Sequence, residues 1–349
     1  EQRRAAIFDQ LDIPEVLNYL VVARWVHEND DVWANMTLYR DSFGDKLWRI
    51  IPFDMNLSWG AIFYEGGNPT VIEGVQATND IHKAHPFYGS SQALALSGPG
   101  GAFNRIYDVI FDVPETREMY LRRLRTLMDD WIKPPGTSPL LAPFETRIRE
   151  LQELMREEAN QTRAVWGWPG KGGQCNFDPG IAFDDGVEAM IARFIDDRRT
   201  HLFVRHSIEN TSWPIGLTKA DNAGIPNPQP SDAVIEVVDL DYNPVSGNQL
   251  EEFICLTNPT PHALDISGWK LDGAVRFTFK PGTVMPSNSV MYVSPDLNGF
   301  RARAVGPTGG QGLFVVGSYD GQLSARGESI EIYDATGRGV STNAYQGNP

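Results

Sequence analysis

The chain has 349 residues, 41% hydrophobic and 21% charged, a composition typical of a protein that buries ordinary hydrophobic cores in about two domains. Its formal net charge of −15 argues against nucleic acid as a partner, because neutralising phosphates requires a basic surface. No apolar run approaches the roughly 20 residues of a membrane span, and two cysteines, Cys175 and Cys255, do not indicate a disulfide scaffold.

The first predicted helix begins at Asp12. Asp12 is an N-cap residue type, Glu15 completes the capping-box pattern, and the apolar residues that follow recur at helical spacing. The helix leads into a polar loop around Asn29 and Asp30. Two short strands are predicted next, at 36–40 and 47–53, joined by a turn-rich segment.

Three oxygen-bearing side chains lie along this segment: Asp30, Asn35 five residues later, and Asp54 directly after the second strand. Phosphoryl transfer needs a carboxylate that orients and deprotonates the acceptor hydroxyl, together with amide and carboxylate oxygens that hold magnesium. The spacing of five matches the D-x-x-x-x-N pattern of kinase catalytic loops. Asp31 is an alternative for the base, and turn or capping roles would also explain Asp30 and Asn35.

Three further helices are predicted, the first from about residue 112, the second around 144–155 and the third at about 184–206. Their expected buried stripes are Tyr120, Leu124, Leu127 and Trp131; Phe144, Ile148, Leu151 and Met155; and Val187, Ile191, Phe194 and Leu202. Arg198 and Arg199 suit the negative end of the third helix. The six histidines show no metal-ligand spacing, and His82 and His85 lie in predicted loops.

Residues 207–232 hold several prolines and no helical or strand period, which predicts a stiff linker. From residue 233 onward, short strands alternate with Gly, Pro and Asn. The predicted strands are 233–240, 252–257, 269–271, 275–279, 290–294, 313–316 and 329–333. This density of strands predicts a β-sandwich with Trp269 in its core.

The segment that carries the three site residues also resembles a known family. Asn29–Asp30, the run 35–40 and the run 48–60 (WRIIPFDMNLSWG) resemble the signature of CotH proteins, spore-coat-type kinase-like proteins found widely in bacteria, and the match continues to about residue 206. The resemblance implies an atypical protein kinase that uses ATP and Mg²⁺ on secreted or surface proteins. By position it makes Asp30 the catalytic base, and Asn35 and Asp54 the metal ligands.

Two departures from that family pattern lead to further expectations. Asn56 stands where the family usually has a second aspartate, which weakens the local negative charge. The family's nucleotide-clamping lobe would lie upstream of Glu1, so ATP binding is expected to depend on that lobe.

Residues 233–345 resemble the lamin tail domain, an immunoglobulin-like module. The matching motifs are Asp241–Pro244, Glu252–Ile254 with Leu256, Leu264–Trp269 and Leu323–Glu328, and Cys255 replaces a usual glutamate. Because such domains often follow secreted bacterial enzymes, the resemblance implies export and a binding or anchoring role.

The predicted fold class is α+β and multidomain: a mostly helical protein-kinase-like C-terminal lobe at 1–206, a linker at 207–232 and an immunoglobulin-like β-sandwich at 233–345. Two functions follow. One is a secreted, ATP- and Mg²⁺-dependent protein kinase. The other is a non-catalytic extracellular assembly protein that uses the lobe as a scaffold. In both, the expected partners are extracellular or cell-surface proteins, with homo- or hetero-oligomers possible.

Overall fold

The computed structural model describes ten segments of the chain: residues 2–28, 30–32, 34–55, 58–59, 61–63, 69–71, 84–91, 104–166, 182–212 and 222–347. Asn56 and His82 therefore lie outside the described residues. The fold is α+β, with a helical N-terminal lobe followed by a β-sandwich. None of the described helices combines the length with the apolarity that a bilayer crossing demands.

The lobe is built from seven helices and two hairpins in its described part. The helices are α1 (Gln2–Gln10), α2 (Ile13–Trp25), α3 (Arg105–Asp112), α4 (Pro114–Leu127), α5 (Pro143–Trp166), α6 (Phe183–Ala189) and α7 (Asp196–Thr200). Short π-helical turns extend three of them, at Met128–Ile132, Met190–Ile195 and His201–Arg205. The hairpins are β1 (Met36–Arg40) with β2 (Trp48–Pro52), and β3 (Ala61–Phe63) with β4 (Pro69–Val71).

Helix α2 is the central element of the lobe. Asp12 caps it as predicted, accepting a hydrogen bond from the Glu15 N–H at 3.4 Å. The reciprocal capping-box bond is replaced, because the Asp12 N–H donates instead to the Trp48 carbonyl at 2.9 Å. The start of α2 is thereby joined to the start of β2.

Some residues of the predicted buried stripes are buried in the structure, and others are exposed to solvent. Tyr120 and Leu124 are buried, as are Ile191, Phe194 and Leu202 on the last helical segment. Trp131, Leu151 and Met155 are exposed by 48%, 37% and 51%, so those predictions were wrong. Trp131 lies on the exposed side of the turn that follows α4, and Leu151 and Met155 lie on the solvent-facing side of α5, so helical spacing alone did not identify the covered side.

The sandwich consists of a four-stranded sheet, β12-β11-β6-β5, and a five-stranded sheet, β13-β9-β8-β14-β15. The first sheet contains β5 (Glu236–Asp241), β6 (Phe253–Asn258), β11 (Ser289–Ser294) and β12 (Val315–Gly317). The second contains β8 (Lys270–Gly273), β9 (Val275–Thr278), β13 (Asp320–Gly321), β14 (Gly327–Tyr333) and β15 (Gly339–Gln346). The pair β7 (Leu264–Asp265) and β10 (Val284–Met285) and helix α8 (Leu297–Arg301) complete the domain.

Strand β6 is buried on both faces. Ile254 and Leu256 point into the core between the sheets, where Trp269 also lies. The alternate residues Phe253 and Cys255 pack instead against α8 and against Leu47 from the lobe. One face of the first sheet is thus covered partly by the other domain.

Lobe and sandwich share one continuous hydrophobic core. At the edge of α1, the Phe8 ring meets Phe314 edge to face at 5.6 Å. Gly282 lies against the Pro14 carbonyl at a positive φ of 89°, and a Cβ there would come within 2.3 Å of that oxygen. The two domains are therefore closely apposed along α1 and α2.

Polar contacts hold the same interface. Arg123 on α4 reaches the buried Asp265 carboxylate at 3.0 Å, and Glu118 accepts from the Ala263 N–H at 3.0 Å. Lys280 of the sandwich contacts Asp12, which is itself bonded to Arg49 of β2 at 2.9 Å. Because Asp12 is almost fully buried, its two cationic partners compensate a charge that would otherwise be costly to desolvate.

Candidate active site

The side-chain amide of Asn35 joins the segments that carry the three predicted site residues. Its Nδ2 donates to the Asp30 carboxylate at 2.7 Å and to the main-chain carbonyl of Asp54 at 3.2 Å. The Phe53 N–H also donates to the Asn35 carbonyl at 3.0 Å. The structure therefore brings Asp30, Asn35 and the Asp54 backbone together at the open end of the β1–β2 hairpin.

Local backbone conformation explains the residue types at this end of the hairpin. Asn35 and Asp54 have positive φ values of 57° and 50°. This left-handed region is disfavoured for most side chains, whereas Asn and Asp tolerate it. The two residues turn the chain into and out of the hairpin, and the Asp54 side chain lies exposed beside it.

Asp30 is held in place by its neighbours. Its N–H donates to the carboxylate of Glu28 at 2.8 Å, and its carbonyl accepts from the Ala34 N–H at 3.0 Å. Glu28 is itself fully buried, whereas Asp30 is half-buried. The Asp30 carboxylate therefore has a defined orientation while one side of the residue reaches solvent.

Asp31, the alternative base, has a different environment. It is fully buried and forms an ion pair with Arg24, and it accepts hydrogen bonds from the Tyr107 hydroxyl at 2.6 Å and the Tyr19 hydroxyl at 3.3 Å. Burial would lower the pKa of Arg24, but the adjacent Asp31 carboxylate more than offsets this and raises it. Burial and the same carboxylate raise the pKa of Tyr107 well above its usual range. These contacts make Asp31 a structural anchor of the loop.

The sequence analysis missed a second polar cluster, which lies behind the loop. It consists of Arg198 on α7 and three buried histidines, His85, His201 and His206. The His206 ring lies 4.8 Å from His85 and 4.7 Å from His201, centroid to centroid. No sequence motif indicates the cluster, because His85 lies more than 100 residues before the other three members and only the fold brings it to them.

The sequence predicts that Arg198 interacts with the C-terminal end of its own helix. In the structure it instead contacts the C-terminal end of α2. Its Nε donates to the Trp25 carbonyl at 3.2 Å and its Nη2 to the Arg24 carbonyl. These are carbonyls of the last turn of α2, which lack partners within their own helix. Burial lowers the pKa of Arg198 to about 9. Arg199 pairs with the buried Glu145.

The donor set at Asn35 suits magnesium better than a softer metal. Within the described segments, no group of three or more His, Cys, Asp or Glu side chains could hold a metal ion. Mg²⁺, however, typically uses one or two carboxylates, waters and substrate phosphates. Asn35 makes both of these bonds through its amide nitrogen, so its amide oxygen lies on the other side of the amide group.

Comparison with known proteins assigns both domains. The family model described as CotH kinase protein matches residues 1–202, and the model described as lamin tail domain matches residues 227–347. A search of curated proteins gave no match. The first model covers more than half of the chain, in the region that contains Asp30, Asn35 and Asp54. The chain therefore belongs to the CotH kinase protein family and carries a lamin tail domain after its kinase-like lobe.

Proposed function

We propose that the lobe carries the catalytic residues of a secreted, CotH-like protein kinase that transfers a phosphoryl group from ATP to extracellular or cell-surface proteins. The observation that carries the proposal is the Asn35 amide, which contacts the Asp30 carboxylate and the Asp54 backbone at the same time. Family membership supports the reaction class.

In this proposal each site residue has a separate task. Asp30 orients the acceptor hydroxyl and takes its proton, with its carboxylate held by the Asn35 N–H at 2.7 Å. The Asn35 amide oxygen and the Asp54 carboxylate hold Mg²⁺. When bound, the ion neutralises the charge that develops on the nucleotide phosphates.

Metal binding gives the first test. The full chain is titrated with Mn²⁺, a paramagnetic substitute for Mg²⁺, and free Mn²⁺ is measured by electron paramagnetic resonance. Asp54→Ala is expected to weaken Mn²⁺ binding by at least about tenfold, since a ligand is lost. Asp232→Ala is the control, because it removes an exposed carboxylate far along the chain from the site. Unchanged Mn²⁺ affinity in Asp54→Ala would overturn the assignment.

Phosphoryl transfer gives the second test. With labelled ATP and Mg²⁺, the expected result is incorporation of the label into a surface-protein substrate, and this incorporation is expected to fall by orders of magnitude in Asp30→Ala and in Asp54→Ala. Incorporation that persists in both variants would contradict the mechanism.

A second candidate function is non-catalytic assembly at the cell surface. The observation that favours it is the hydrophobic core that lobe and sandwich share, because this core packs the two domains into one body. In this case the chain is expected to self-associate or to bind cell-envelope material, and to do so equally well when Asp30 and Asp54 are replaced. A strictly monomeric chain with no affinity for envelope preparations would remove the basis of this candidate.

A further inference from the structure

Helix α5 has one side that packs against the lobe and another that carries a regular row of exposed residues. On the packed side, the ring of Phe144 lies 4.5 Å from that of Trp25, and the buried Glu145 pairs with Arg199. The exposed row, called the α5 seam below, consists of Arg147, Leu151, Leu154, Glu158, Gln161 and Val165. Its alternating spacing of four and three residues is that of the contact row of a coiled coil. At 1.5 Å per residue the seam is about 27 Å long.

The apolar members of the α5 seam lie open to solvent. Leu154 is exposed by 75%, Val165 by 71% and Leu151 by 37%, and Met155 beside them is exposed by 51%. Single exposed apolar side chains are common on protein surfaces, whereas a contiguous apolar stripe marks a surface that another molecule covers. The stripe therefore indicates a binding face on α5.

An apolar groove continues the α5 seam beyond the first turn of the helix. It is lined by Trp131, Leu140 and Leu141, which are exposed by 48%, 90% and 73%. Groove and seam together expose on the order of 500 Å² of apolar side chain, taking about 100 Å² for a free leucine. A standard interface buries about 800 Å² on each partner, roughly 55–65% of it apolar. The face thus has the apolar area that one stable dimer needs.

The charges of the α5 seam are complementary to those of a second copy of the same seam. Arg147 lies four residues before Leu151, and Glu158 lies four residues after Leu154. A two-fold axis midway between the two leucines, with the helices antiparallel, therefore sets Leu151 of each copy against Leu154 of the other. The same axis sets Arg147 of each copy against Glu158 of the other. Because the whole chain carries a net charge of −15, most of its surface repels a second copy, whereas the seam attracts one.

We propose that the α5 seam is the interface of a homodimer in which two copies of α5 pack antiparallel about a two-fold axis. The axis also brings Val165 of one copy to the groove at Leu140 of the other, because both residues lie eleven positions from the central leucines. Arg147 pairs with Glu150 of its own helix at 2.8 Å, and its guanidinium has enough donors for a second carboxylate across the axis. Leucines, opposite charges and groove all meet in this one arrangement.

Sedimentation equilibrium of the full chain tests the interface. At about 10 μM the expected mass is twice the 38.9 kDa of one chain, because interfaces of standard size have dissociation constants in the micromolar range or below. Leu154→Arg should raise the dissociation constant at least about 100-fold, since it places a charge of each copy in the apolar centre. The new side chain lies four residues from Glu150 and from Glu158, which supports the isolated helix. Leu250→Arg, at a 52% exposed leucine of the sandwich, is the matched control and should dimerise as wild type.

Two charge reversals test the antiparallel register. In Arg147→Glu the opposed side chains are both acidic and in Glu158→Arg both basic, so each variant alone should dimerise at least about tenfold more weakly than wild type. An equimolar mixture of the two variants should recover the wild-type affinity, because both contacts of a mixed dimer join opposite charges. Arg149→Glu is the control and should dimerise as wild type, since Arg149 pairs with Glu188 of its own chain outside the seam.

Three results would contradict the dimer. A chain that stays monomeric at about 100 μM would overturn it and leave the α5 seam to a different protein. Wild-type affinity in Leu154→Arg would place the interface elsewhere, and weak association in the equimolar mixture would rule out the antiparallel register. Far-ultraviolet circular dichroism identical to that of wild type confirms that each variant is folded. No seam residue belongs to the candidate site, so failure of Mn²⁺ to bind would remove the proposed function and leave the dimer standing.

Discussion

Replacing Asp31 by Asn tests whether the adjacent carboxylates of Asp30 and Asp31 have different roles, with Asp31 as the structural one. Asp31 is fully buried and is the counter-ion of Arg24, whose side chain is 2% exposed. Asp31→Asn keeps the shape and an acceptor oxygen for Tyr107 but leaves the guanidinium buried without its negative charge. Breaking one partner of such a pair costs about 3–5 kcal/mol of the free energy of unfolding.

The measurement is equilibrium urea unfolding at neutral pH, followed by tryptophan fluorescence and far-ultraviolet circular dichroism. Asp30→Asn is the matched control, since the neighbouring carboxylate is half-buried and bonded to one amide, and its expected loss is below about 1 kcal/mol. The double variant Arg24→Met/Asp31→Leu should recover part of the loss, because both charges are removed together. Equal unfolding midpoints for Asp31→Asn and Asp30→Asn would refute the assignment of Asp31 as the anchor.

Three further predictions concern the interface and the sandwich. Gly282→Ala should lower the free energy of unfolding by about 1–3 kcal/mol through its clash with Pro14, as measured by urea titration. Gly337→Ala is the control and should lower it less, because Gly337 has the same φ of 89° but open space around it. Arg123→Met should destabilise the chain by about 3 kcal/mol in calorimetry by leaving a buried carboxylate of the sandwich unpaired, and an unchanged melting temperature would contradict the interface described here. Burial raises the pKa of Cys255 to about 11, so at pH 8 only about one Cys255 thiol in a thousand is ionised. In a variant with Cys175 replaced by serine, the reaction of Cys255 with a disulfide reagent should therefore be at least about 100-fold slower in the native than in the denatured chain.

Local patterns in the sequence were sufficient to predict the helix and the hairpin that carry the candidate site. The cap at Asp12, the helix that follows and the hairpin at 36–40 and 48–52 all have short-range signals, and the structure places them as predicted. Convergence of Asp30 and Asn35 follows from their spacing on one loop. The roles of Asp30, Asn35 and Asp54 in chemistry and metal binding remain predictions.

What the sequence could not reveal depends on contacts between distant segments. The pairing of Arg24 with Asp31 had one visible sign, a lone arginine inside an apolar helical run, but Tyr107, which donates to the same carboxylate, lies 76 residues further along the chain. The exposure of Trp131 could not be predicted either, because the spacing of apolar residues along a helix does not show which of its turns another element covers. Strand β15 was missed since its residues alternate weakly and lie at the edge of the sheet.

The direct contacts between lobe and sandwich also determine how the chain would bear tension. If the sandwich anchors the protein to a surface, a pull on it does not reach the lobe only through the 207–232 segment. It is shared by parallel attachments, including the bond from Asn298 to the Gly44 carbonyl at the tip of the β1–β2 hairpin and the contact of Lys280 with Asp12. The hairpin that is loaded at its tip carries Asn35 and Asp54 at its other end, so strain at an anchoring point would reach the candidate site.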